Sequence, residues 1–166
     1  RTIAMNATVY VGMAVTSHNE GQISTAVFDN VTVTSASSPR PVDVWLSSHG
    51  LTIADLEQDT DGDGLTVAIE FSLGLTPGID DSGSAPAAVL VGGGLAIEFI
   101  RPRPAPVGVQ YIAEVSDDLS QWDSGPSFTW PEELVDQLDG TEAVTIRSRS
   151  TGLDKEFIRL KVVLLP

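Results

Sequence analysis

Twelve residues of this chain have types and spacing suited to chemistry: Asp59-Thr60-Asp61-Gly62-Asp63-Gly64-Leu65-Thr66-Val67-Ala68-Ile69-Glu70. Carboxylates stand at positions 1, 3, 5 and 12 of the run and glycine at position 6, which are the offsets of a calcium-binding loop. Three short acids on alternating residues can converge on one cation while the chain curls around it, and Gly64 permits the sharp turn. The carbonyl of Leu65 would face the same ion, and Glu70, one turn into a following helix, would close the shell with both oxygens. Position 9 is Val67, which offers no ligand, so a water is expected there. Ca2+ suits the set because it takes about 6–8 hard oxygen ligands in a flexible geometry; zinc favours nitrogen or sulfur, and magnesium a stricter octahedron. An Asp- and Gly-rich run is also what a plain solvated turn looks like. Here five constrained positions agree, and the run leads directly into a helix-forming stretch. The expected role of the ion is structural, since no neighbouring side chain offers chemistry.

The remaining composition narrows the function classes. The chain has 166 residues and a net charge of −14, from 23 acidic against 9 basic side chains. Nucleic acid and anionic membrane surfaces need clustered positive charge, so neither is an expected partner. There is no cysteine, which excludes disulfides, thiolate metal sites and cysteine nucleophiles. No apolar run reaches the ~18 residues of a spanning helix. The two histidines, His18 and His49, fall in turn-like contexts, no GxSxG elbow accompanies the serines, and Gly92-Gly93-Gly94 lacks the ending of a phosphate loop. Catalysis is not expected. Trp45, Trp122 and Trp130 raise a second class of function, stacking on a glycan; the competing role for Trp122 and Trp130 is to anchor a small core.

The elements that must position the acidic run fall into three parts. Residues 1–38 read as a β-hairpin: Val9, Val11, Met13 and Val15 alternate with Tyr10, Gly12 and Ala14, and a second Val- and Thr-rich strand follows the turn at His18–Gly21. Apolar groups on both faces need cover that two strands cannot give each other, so residues 1–34 are expected to be completed by protein neighbours, either upstream domains of one precursor or identical subunits adding strands to a filament. The chain opens at Arg1 inside this pattern, as a piece of a longer protein would. Residues 39–83 hold a linker and the acidic module. Pro39 and Pro41 mark the linker across 35–43, a short helix is expected over Thr52–Gln58, and another over Thr66–Leu73 ends at Gly74. Trp45 and Leu46 are expected to pack on that module, with Ile69, Phe71 and Leu73 as anchors. Asp80-Asp81 lacks the DxDxDG frame and is not a second loop. Residues 84–166 read as a small antiparallel β-sandwich with strands near 87–91, 95–100, 109–116, 142–149 and 156–164. Residues 131–138 fit either a helical turn or a loop that carries Leu134 and Leu138 into the core.

Taken together, GMAVTSHNEGQISTAVFDNVTV, DTDGDGLTVAIEFSLGLTP, IAEVSDDLSQWDSG and FIRLKV resemble the C-terminal regions of large secreted proteins of the Verrucomicrobia and Planctomycetes group. The first piece is similar to the last strands of a laminin-G or concanavalin-like jelly roll. The second resembles the calcium loops of thrombospondin type 3, dockerin and EF-hand relatives, and the last two look like a terminal β-sandwich of the fibronectin or immunoglobulin kind. The resemblance implies a mainly β chain, an extracellular or cell-surface location, and Asp59, Asp61, Asp63 and Glu70 as Ca2+ ligands. A single complete loop is present where dockerins have two or more, which argues against cohesin docking. The expectation is a non-catalytic, calcium-stabilised structural or assembly module, with a carbohydrate-binding accessory module as the alternative.

Overall fold

The structure, a computed structural model, describes residues 39–150 and 155–166, with single positions at Gly21, Ile23, Thr25 and Val27. The expected hairpin of residues 1–34 therefore lies outside the described residues. Residues 1–37 and 38–166 are separate compact units, and the second is the one described below.

Two short helices precede two antiparallel sheets. Helix α1 spans Pro41–Ser48 and α2 spans Val67–Leu73. The strands are β1 (Ala87–Val91), β2 (Gly94–Pro102), β3 (Val109–Ser116), β4 (Asp123–Ser124), β5 (Glu133–Asp136), β6 (Thr141–Arg147) and β7 (Phe157–Leu164). One sheet has the order β1-β2-β6-β5 and the other β4-β3-β7. Ile97, Phe99, Val144 and Ile146 of the first sheet share one buried cluster with Ala113 of the second, and Tyr111, Ile158 and Leu160 pack against it. Period-2 alternation explains the placement, since residues two apart share a face. Gly92 and Gly93 join β1 to β2 with positive φ at both positions (61° and 85°), the conformation of a tight two-residue hairpin.

Three elements differ from the sequence expectation. The linker predicted over 35–43 ends in a helix, because Pro41 occupies its first turn, where the missing N–H has no intrahelical partner to lose. The helix expected over Thr52–Gln58 is only one 3-10 turn, Ile53–Asp55, with the Thr52 N–H and hydroxyl both donating to Asp55 Oδ2 at 2.8 Å. Residues 131–138 are neither helix nor core loop. They contain β5, paired in register with β6 from Glu133↔Thr145 to Asp136↔Glu142, and they leave Leu134 half exposed and Leu138 at 91% exposure. Edge pairing supplies the hydrogen bonds that helical propensity would otherwise have claimed.

Helix α2 joins the acidic run to the rest of the unit. Leu73 belongs to the cluster between the sheets, while Val67 and Phe71 share a second cluster with Val42 and Leu46 of α1, against which Trp45 also packs. Gly74 ends the helix in a left-handed conformation (φ 73°), and a Cβ there would lie 2.6 Å from Pro102 Cγ of β2.

Candidate metal centre

The run from Asp59 to Glu70 forms a closed loop because its two ends are tied together. Val67 N donates to the Gln58 carbonyl at 2.9 Å and Ala68 N to that of Leu56 at 3.0 Å. Inside it, backbone N–H groups orient each acid. Asp59 accepts from Gly62 N (2.7 Å) and Gly64 N (2.9 Å), Asp61 from Asp63 N (3.2 Å), and Asp63 from Leu65 N (2.7 Å). Positive φ at Gly62 (82°) and Gly64 (94°) aims these N–H groups inward. Asp59, Asp61 and Asp63 consequently present one carboxylate oxygen each, all within 4.8 Å of one another, a triad able to hold a metal ion.

Glu70 tests whether a cation fits. It lies on α2 and is fully buried, yet neither carboxylate oxygen has a hydrogen-bond partner among the protein atoms. Burial and then the charges of Asp61, Asp63, Asp81 and Asp59 push its carboxyl up to about 7. An unpaired buried carboxylate among other acids is a costly arrangement, and a divalent cation would remove the cost. Leu65 is buried directly after Gly64, and Val67 is turned wholly into the α1–α2 cluster, so position 9 offers no side-chain oxygen. A metal here would take Asp59, Asp61, Asp63 and Glu70 as carboxylates and would supply only charge neutralisation and closure of the loop.

Sequence reasoning weighed Asp80-Asp81 only as a second loop and did not connect Asp81 to the first, although its backbone N–H donates to Asp63 Oδ2 at 2.7 Å across eighteen residues. It also missed Arg101, which takes the inward position after Phe99 on β2. Its Nε donates to Glu142 at 2.8 Å and its Nη2 to Glu132 at 2.9 Å, and its guanidinium lies 4.7 Å from the centre of the Tyr111 ring. Tyr111 donates to the carbonyl of buried Ser72 on α2 at 2.5 Å, and burial raises its phenol to about 12. Trp122 and Trp130 each carry an arginine over one ring face, Arg159 at 4.0 Å and Arg149 at 3.7 Å. His49 sits exposed at the end of α1 with Nδ1 2.8 Å from the Trp45 carbonyl. A groove of about 520 Å³ beside Trp130 and Gly92–Gly94 shares no residue with the acidic loop.

No protein-family model, curated protein or solved structure matches the chain.

Proposed function

We propose that this chain is a non-catalytic, calcium-stabilised structural module of a larger extracellular or cell-surface protein. One Ca2+ is held by Asp59, Asp61, Asp63, the Leu65 carbonyl and both oxygens of Glu70, with water at the position Val67 leaves open, a seven-oxygen shell of the kind calcium accepts. The observation that carries the reading is Glu70, fully buried with both oxygens unpartnered beside the acidic triad. The facing sheets are read as a small sandwich of the fibronectin or immunoglobulin kind. The net charge of −14 agrees with an exterior setting, and residues 1–34 are the segment through which the module would join upstream domains or identical subunits. The arginines over Trp122 and Trp130 already occupy one face of each ring, which favours the structural role of those indoles over sugar stacking.

Calorimetric titration of the chelator-treated chain is the test. One site is expected, with a rise in melting temperature on adding calcium, and Asp61→Ala or Glu70→Gln should each weaken it at least tenfold. The absence of both heat and a thermal shift at millimolar calcium would refute the proposal.

A further inference from the structure

The segment after α2 returns to the acidic loop. Leu75 N closes on the Glu70 carbonyl at 2.9 Å, and Ile79 N on that of Thr76 at 3.2 Å, so the chain folds back tightly. This turn brings the Asp81 N–H onto Asp63 Oδ2 at 2.7 Å. Thr76 N donates to Asp81 Oδ2 at 3.1 Å, which holds the half-buried carboxylate in place. The neighbouring Asp80 is differently employed, accepting from Ser82 N at 3.1 Å and Ser82 Oγ at 2.6 Å.

We propose that Asp81 is a further carboxylate of the metal centre, delivered from outside the twelve-residue loop by the Thr76–Asp81 turn. The inference rests on the calcium reading above. The independent sign that a cation belongs here is Glu70, with no exposure and no partner for either oxygen. Room for another donor comes from Val67 at position 9, whose hydrocarbon side chain carries no ligand atom. Asp81 fills that room, directly or through the water at that place. It raises the count of carboxylates around the ion from four to five, and carboxylate count is one of the terms that set calcium affinity. The ion then clamps two stretches of chain, and its binding fixes the path from α2 into β1.

The experiment compares the intact chain with Asp81→Asn and Asp80→Asn by calcium calorimetry after chelator treatment. Asn at 81 keeps an acceptor for Thr76 N and the backbone donor to Asp63, but loses the charge. The expected result is a calcium affinity at least tenfold lower for D81N and within twofold of the parent for D80N. A D81N affinity within twofold of the parent, or an equal loss in both variants, would overturn the assignment and leave the calcium reading intact. If the parent itself takes up no calcium, the calcium reading fails first. Should D81N not fold, Asp81→Glu permits the same comparison, because it keeps the charge and moves the oxygens by one methylene.

Discussion

The buried carboxylate of Glu70 makes the metal-free chain sensitive to pH in a direction opposite to that of most acid-rich proteins. Its ordinary value of 4.5 is raised to about 7 in the fold. A raised carboxyl binds its proton more tightly when folded, so between these values the native state holds more protons than the unfolded state. Stability must then fall as pH rises through this window and level off above about 7. At 1.36 kcal/mol per unit, the loss is about 3 kcal/mol for the whole interval. Urea unfolding in chelator at pH 5 and pH 8 measures it, with Glu70→Gln as the control that subtracts every other titrating group. The parent should lose about 2.5 kcal/mol more than the variant on going from pH 5 to pH 8, the rest of the loss falling below pH 5. Calcium should abolish the difference, and below pH 7 its uptake should release a proton and weaken about tenfold per unit. Equal pH dependence in the parent and Glu70→Gln would show that the carboxylate is not held as described, and would refute the reasoning.

Two further perturbations test the packing around the centre. Gly74→Ala forces a side chain onto a left-handed residue and into Pro102 Cγ at 2.6 Å, and should lower stability by about 1–3 kcal/mol in chemical denaturation, with or without calcium. Arg101→Met leaves Glu142 buried without its ion pair and should cost about 3–5 kcal/mol, of which the second change Glu142→Leu should recover part.

The acidic loop was legible because the calcium-loop pattern fixes residue type at set offsets, and no tertiary knowledge is needed to read them. The long strands were legible for a related reason: Val144 and Ile146, or Ile97 and Phe99, repeat at the period of the pleat. The losses came where distant residues decide. Helix α1 was hidden by prolines that read as breakers, although a proline in the first turn of a helix is favourable. Residues 132–134, Glu-Glu-Leu, give a helical signal, and Glu133–Asp136 become strand β5 only because β6 offers a partner. Arg101 breaks no local rule, and its burial depends on Glu132 and Glu142, more than thirty residues away in sequence. Asp81 lacks a motif of its own; only the turn after α2 brings its backbone N–H to Asp63.

Helix α2 has only seven residues, about two turns, and a helix that short does not persist on its own in water. It holds its shape because Phe71 and Leu73 are seated in separate apolar clusters and Tyr111 caps the Ser72 carbonyl from β3. Glu70, the twelfth residue of the loop, is therefore positioned by helix α1 before it and by strands that follow it in sequence. A transplanted segment covering only the loop and helix would keep every acidic residue of the loop and lose the scaffold that fixes Glu70. Unlike a self-sufficient zinc finger, this sequence is not a portable cassette, and grafting it elsewhere would require carrying the sheets along.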